Sequence, residues 1–364
     1  MTPARCILVC AGGTGGHLFP AEALAIALGR RGFPVELATD DRALKYGGGF
    51  PARAIHAFPS ATPTGGLASK IGAALALTRG VALAYARLRA IAPRAAIGFG
   101  GYPTVPPLLA ASLLGLPTLL HEQNAVMGRA NRFLAGRVRL VATGFPTLNG
   151  APPAVLGKTR YTGNPVRPAV LAAAAAPYPG FADGRLRVLV TGGSQGARVM
   201  ADIAPAALAL LTPAERARLV WTQQARGEDR ARVAQACAAI DLPVEIAEFF
   251  PDLPARIGAA HLVIGRSGAS TVSELAVIGR PSILVPFPHA LDQDQAANAA
   301  TLAASGAAQV IPQTAFTPAK LAALLRQALA DPEALTAAAR AAKAAGVADA
   351  AERLAALVAE CVGG

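Results

Sequence analysis

A few segments hold the residue types that can act on an anionic, hydroxylated substrate. Residues 12–17 (GGTGGH) follow an apolar run and precede a helical one, so glycine amides and the positive end of a helix face one point. That suits a phosphate; a tight turn with no ligand uses the same glycines. A nicotinamide cofactor is the third reading, with Asp40 or Asp41 at about the distance a ribose-binding carboxylate takes, but neither this turn nor residues 192–198 (GGSQGAR) spells G-x-G-x-x-G. His17 closes the turn at a helix start, where the dipole disfavours imidazolium and leaves a neutral ring able to accept a proton. A lone histidine is also commonly structural. Residues 121–124 (HEQN) end an apolar strand, which is where a parallel sheet delivers side chains to a site.

The second half repeats the scheme. GGSQGAR, with Ser194, offers another anion cradle, and residues 266–274 (RSGASTVSE) pass from a strand end into a helix start rich in hydroxyls and amides. A diphosphate suits that helix end, and Glu274 serves either as a dipole partner or as an acceptor for ribose hydroxyls. Residues 289–298 (HALDQDQAAN) carry amides and carboxylates suited to sugar hydroxyls. Asp292 and Asp294 also spell D-x-D, a metal-holding spacing, but two glycine turns at helix starts neutralise a diphosphate without a cation, so no metal is expected.

These segments need elements to position them. An apolar strand, the first glycine turn, a helix over 20–30 and a second strand (PVELAT) make a βαβ unit; strand 187–191, the second turn, a helix over 199–211 and strand LVWTQQ make another. With 364 residues, two α/β lobes with parallel sheets are predicted, ligands lying at the carboxyl ends of their strands. The expected division is a first lobe over 1–163, a second over 164–340, and a terminal helix over 341–364 crossing back to the first.

Composition narrows the partners. Fifty-three per cent hydrophobic and 15% charged residues describe an ordered chain, and a net charge of +12 favours anionic partners. Aromatics at 5% and scattered arginines argue against nucleic acid. The cysteines Cys6, Cys10, Cys237 and Cys361 lack C-x-x-C spacing, which fits a reducing cytoplasm, and the first residues do not read as a secretory signal. Residues 95–120 carry no charge, but their glycines and prolines break them into strand, loop, helix and strand rather than a membrane span. Residues 69–91, with Lys70, Arg79, Arg87 and Arg89 among apolar residues, suit either an anionic membrane face or an ordinary core-facing helix.

Taken in order, GGTGGH, HEQN, GNPVR, GGSQGAR, RSGAxTVSE and Q-x-x-N run in register over roughly 280 residues, and this pattern closely resembles the MurG family. The resemblance implies a GT-B glycosyltransferase with an acceptor lobe and a donor lobe about a cleft. It implies transfer of N-acetylglucosamine from UDP-GlcNAc to lipid I, giving lipid II and UDP, at the cytoplasmic face of the inner membrane, with other cell-wall synthesis proteins as partners and no cofactor. Carried over by position, Thr14, Gly15, Gly16 and Asn124 contact donor or acceptor. Arg167, Ser194, Arg266, the helix start Ala269, Ser270, Thr271, Val272, Ser273 and Glu274, and Gln295 bind UDP-GlcNAc, while Phe250 gives a backbone contact to uracil. The chain departs from the family in residues 292–295 (DQDQ) and in lacking tryptophan at the membrane patch, its one being Trp221. The mechanism expected is a single inverting displacement with His17 as base, or Glu122 if burial raises its pKa. A GT-B enzyme with another acceptor and a non-catalytic nucleotide-sugar sensor are the rivals.

Overall fold

The computed structural model describes residues 5–12, 15–41, 49–62, 66–193, 196–288, 290 and 293–363. Two compact units emerge: unit 1 is Met1–Arg167 with Ala348–Gly364, and unit 2 is Pro168–Val347. The divisions fall at 167/168 and 347/348, against the expected 163/164 and 340/341, and so put Arg167 in unit 1.

Unit 1 runs β1 (Ile7–Cys10), α1 (Gly15–Arg30), β2 (Val35–Thr39), β3 (Ile55–Ala57), α2 (Leu67–Ile91), β4 (Ala95–Gly98), α3 (Val105–Leu113), β5 (Thr118–Glu122), α4 (Arg129–Ala135), β6 (Leu140–Thr143), α5 (Pro153–Leu156) and β7 (Thr159–Tyr161). The seven strands form one sheet in the order β3-β2-β1-β4-β5-β6-β7, and every pairing is parallel. Strands β1 and β4 are buried along their whole length, as the continuous apolar runs require when both faces of a parallel sheet are covered. The uncharged stretch over 95–120 resolves into β4, a 3-10 turn at Tyr102–Thr104, α3 and β5.

Unit 2 runs α6 (Pro168–Ala175), β8 (Leu186–Thr191), α7 (Arg198–Ala209), α8 (Pro213–Ala217), β9 (Leu219–Gln224), α9 (Gly227–Ala238), β10 (Val244–Ala247), α10 (Leu253–Ala259), β11 (Leu262–Gly265), α11 (Ala269–Ile278), β12 (Ser282–Leu284), α12 (Asp294–Ala304), β13 (Ala308–Val310), α13 (Pro318–Ala330) and α14 (Pro332–Ala345). Its sheet order is β10-β9-β8-β11-β12-β13, again all parallel.

The terminal helix expected over 341–364 is divided between the end of α14 in unit 2 and α15 (Ala350–Gly363) in unit 1. Gly346 ends the first, where a Cβ would lie 2.6 Å from the Ala276 carbonyl oxygen. Helix α15 buries Leu354 and Val358 in the core that also holds Leu24 and Leu28 of α1. Each such side chain contributes about 1.5–3 kcal/mol. The Arg31–Glu352 ion pair at 3.2 Å is exposed and adds little beside that.

Both sheets reverse direction of strand addition once, between β1 and β4 and between β8 and β11. The carboxyl edge at such a reversal is open because neighbouring connections leave to opposite faces, and it is the place where α/β sheets bind ligands.

Candidate active site

In unit 1 that edge carries the first glycine turn. Thr14 lies outside the described residues, whereas Gly15 and Gly16 open α1 and His17 sits in its first turn. Burial lowers the His17 pKa to about 4, so the ring is neutral at pH 7 and ready to take a proton. It lies against the turn that follows β4: a Cβ at Gly101 would be 3.6 Å from the imidazole Cε1. Gly100 and Gly101 have φ of 82° and 76°, a conformation that favours glycine, and they carry the chain between His17 on one side and Asn131 of α4 on the other.

The HEQN segment at the end of β5 is largely buried rather than solvent-facing. His121 is fully buried, and since the Gly163 carbonyl oxygen can only accept, its Nε2–H donates there at 3.0 Å while Nδ1 accepts from Gln123 Nε2 at 3.2 Å. Burial lowers its pKa to about 4 against the opposing effect of the Gly163 bond, and its ring packs on Phe99 at 5.3 Å. With both nitrogens committed, His121 is a strut.

Glu122, the expected second candidate for the base, is buried at the end of β5. Its Oε1 accepts from the Asn124 N–H at 3.0 Å and Nδ2 at 3.4 Å, and its Oε2 accepts from the Gly128 N–H at 2.9 Å and Asn131 Nδ2 at 2.7 Å. Burial pushes the carboxyl pKa up and these four donors pull it back. Through these bonds Glu122 fixes the Asn124–Gly128 loop. Asn131 went unnoticed in the sequence because a single asparagine inside a helix carries no periodic or motif signal.

Arg167 lies 4.0 Å above the Phe19 ring of α1 and favours the charged form of Glu22 one turn further on, so its cation is held on unit 1.

In unit 2 the second glycine turn departs from the expected anion cradle. Ser194 lies outside the described residues, and the amides on either side of it are already used. The Gly192 N–H donates to Gln224 Oε1 at 3.0 Å, that of Gly193 to Thr191 Oγ1 at 3.3 Å, and that of Gly196 to the Gly193 carbonyl at 3.0 Å. The turn doubles back so tightly that a Cβ on Gly192 would lie 2.1 Å from the Ala197 nitrogen.

Helix α11 is the better anion site. Gly268 caps it without a side-chain hydrogen bond, so the amides of Ala269, Ser270 and Thr271 are the unpaired donors of a helix start, with Ser270, Thr271 and Ser273 half-buried beside them and Val272 and Glu274 buried. Arg266, ahead of that helix start, makes bonds of its own: its Nη1 donates to the Val285 and Pro286 carbonyls at 3.0 and 3.1 Å and its Nη2 to Gln313 Oε1 at 2.7 Å. It clips the loop after β12 in place. Ser267 Oγ donates to the Gln295 carbonyl at 2.8 Å, and Gln295 Oε1 accepts from the Phe287 N–H at 3.0 Å, which leaves the Gln295 amide nitrogen for a ligand. The Phe250 ring is buried under Arg256 at 4.3 Å, and its carbonyl accepts from the Leu253 N–H. Asp294 starts α12 and its Oδ1 accepts from Gln295 N at 2.9 Å; Asp292 lies outside the described residues.

Residues 7–143 match the glycosyltransferase family 28 N-terminal domain and residues 187–354 the glycosyltransferase family 28 C-terminal domain. A relative from Methylobacterium nodulans, named UDP-N-acetylglucosamine--N-acetylmuramyl-(pentapeptide) pyrophosphoryl-undecaprenol N-acetylglucosamine transferase, is 60% identical over 99% of this chain and 98% of its own. One of the same name from Bradyrhizobium diazoefficiens is 53% identical over the full length of both. The crystal structure of MurG from Acinetobacter baumannii shares the fold with a TM-score of 0.79, 28% identity, and coverage of 98% of this chain and 100% of that one. By sequence and by fold, the chain belongs to glycosyltransferase family 28 and, within it, to the MurG family of N-acetylglucosaminyltransferases.

Proposed function

We propose that this enzyme transfers N-acetylglucosamine from UDP-GlcNAc to the 4-hydroxyl of the MurNAc sugar of lipid I, releasing lipid II and UDP. The observation that carries the reading is the joint presence of a neutral His17 at the sheet reversal of unit 1 and an uncapped α11 at that of unit 2, in a chain whose relatives bear the name of that reaction. In the reaction, the MurNAc 4-oxygen forms its bond to the anomeric carbon while its proton passes to His17. The carbon–oxygen bond to UDP breaks with its electron pair, which leaves on the diphosphate. A displacement of this kind inverts the anomeric centre.

The α11 amides meet charge growing on the departing diphosphate, an electrostatic contribution that needs no proton. Gln295, Glu274 and the Phe250 N–H are assigned to the sugar, ribose and uracil of the donor, and Arg167, Thr14, Gly15, Gly16, Ser194 and Asn124 keep the substrate contacts that the family pattern gives them. A ring with a pKa near 4 is a weak base in the free enzyme. An anionic lipid diphosphate bound beside it raises that value and so strengthens the base where it is needed.

The acceptor is lipid-borne, and α2 supports a peripheral seat on the inner membrane's cytoplasmic face. Among the described residues it is the one helix long and apolar enough to cross a bilayer, yet Gly80, Ala84 and Leu88 are buried in unit 1, where a Cβ on Gly80 would lie 2.1 Å from the Pro59 carbonyl oxygen. A helix packed in this way rests on a surface rather than spanning it. Leu67, Ile71 and Leu75 form an exposed apolar stripe flanked by Lys70 and Arg79, which suits anionic headgroups.

Incubation of the purified protein with radiolabelled UDP-GlcNAc and a short-chain lipid I analogue, with and without chelator, tests donor, acceptor and metal-independent chemistry together. Labelled disaccharide product in both arms is expected; label retained in UDP-GlcNAc overturns the reading. Replacing Ile71 and Leu75 with Glu should abolish sedimentation with phosphatidylglycerol vesicles yet leave turnover of the short-chain analogue unchanged.

A further inference from the structure

The donor site assigned above leaves one buried group unexplained. Gln224 ends β9 and makes four hydrogen bonds through one amide. Its Oε1 accepts from Thr191 Oγ1 at 2.8 Å and from the Gly192 N–H at 3.0 Å; its Nε2 donates to the carbonyls of Gly193 and Glu248, both at 3.1 Å. Two donors on one side and two carbonyls on the other fix the amide in a single orientation. The partners lie on three chain segments: the end of β8, the glycine turn after it, and the residue two before Phe250. Thr191 extends the linkage to a fourth, since a Cβ at Gly265, the last residue of β11 before the α11 approach, would lie 2.8 Å from its carbonyl oxygen.

We infer that Gln224 is a positioning residue for the nucleotide, locking the glycine turn after β8 to the segment assigned to the base. The inference rests on the proposed binding of UDP-GlcNAc by unit 2. Gln224 touches no substrate atom in this scheme; it sets the spacing between the Gly193 and Glu248 carbonyls, and so between the turn and the Phe250 N–H. A carboxylate at this position puts negative charge against two carbonyl oxygens and pushes the two segments apart, and its shape is otherwise that of glutamine. The cost therefore falls on nucleotide affinity, with the core of unit 2 intact. A general folding fault acts differently, lowering the active fraction and kcat while the remaining molecules keep their affinity.

The test compares Gln224→Glu with the unchanged enzyme by calorimetric titration of UDP and by steady-state kinetics in both substrates. The inference expects the UDP Kd and the UDP-GlcNAc KM to rise by about tenfold or more, the size of one lost hydrogen bond to a charged group. It expects kcat to stay within about threefold and the acceptor KM to hold. Lowering the pH from 8 to 6 should recover part of the affinity as the buried carboxyl protonates. If Gln224→Glu does not fold, Thr191→Val, which removes one of the four bonds and also the acceptor of the Gly193 N–H, should raise the UDP Kd about threefold with kcat unchanged. Equal UDP affinity in a folded variant overturns the inference, as does a drop confined to kcat. Absence of UDP binding by the unchanged enzyme is a separate result: it removes the donor assignment of unit 2 itself.

Discussion

The two sheet reversals are built alike and furnished differently. At the β1/β4 edge of unit 1 stands an ionisable ring, His17, with the carboxylate of Glu122 anchoring the loop after β5. At the β8/β11 edge of unit 2 the described groups are mostly amides and hydroxyls: Thr191 and Gln224 at the ends of β8 and β9, Ser270, Thr271 and Ser273 at the start of α11 with the Glu274 carboxylate behind them, and Gln295 beyond. The first edge can move a proton, and the second can hold a nucleotide without competing for one. On the proposed reading the same backbone plan serves chemistry in one half and recognition in the other, and the difference lies in a handful of side chains.

Substitutions at the two edges should fail in different ways. Among substitutions of the supporting groups, Glu122→Gln is expected to do the greatest damage: its new NH2 must face N–H donors, which costs about 1–3 kcal/mol. Loosening of the Asn124–Gly128 loop should lower kcat by roughly tenfold to a hundredfold, as a misplaced site does, and leave the UDP Kd in place; thermal melting and calorimetry read the two effects. A raised UDP Kd there would blur the comparison. Gly192→Ala should do the reverse, raising the UDP-GlcNAc KM by about tenfold while acceptor KM holds, because the Cβ at 2.1 Å from the Ala197 nitrogen must open the turn.

A smaller, pH-dependent effect sharpens the contrast. His17 and His121, both in unit 1, have folded pKa values of about 4, below the unfolded value of 6.5. The unfolded chain then binds more protons between those values, so the stability they contribute is complete above pH 6.5 and is lost as the pH falls towards 4. For the fully buried His121 the loss is on the order of 2–3 kcal/mol. Denaturant melts of the whole chain at pH 7 and pH 4.5 should show it, and His121→Gln should flatten the dependence. The kcat/KM of the free enzyme should show no inflection from His17 between pH 6 and 8.

Much of this was legible in the sequence, for identifiable reasons. Apolar runs punctuated by glycine gave the strands and both turns, since a buried parallel strand is recognisable from composition and a strand-to-helix turn needs residues without a side chain. The start of α11 could be read from RSGASTVSE because helix caps are local. What stayed hidden was long-range. Asn131 reaches Glu122 across nine residues, Gln224 reaches Thr191 across 33, and His121 finds the Gly163 carbonyl across 42. None of these pairings follows from spacing, nor do the bonds from Arg266 to the carbonyls of Val285 and Pro286.

The division of labour between the two edges is tested most directly on one preparation of His17→Ala, by a calorimetric UDP titration alongside the single-turnover rate of transfer to a short-chain lipid I analogue. The expected result is a UDP Kd within about twofold of the unchanged enzyme and a transfer rate lower by about 10²–10⁴-fold, the usual worth of a general base. Transfer at the original rate would contradict the assignment of the proton acceptor, and a lost UDP affinity would contradict the separation of recognition from chemistry.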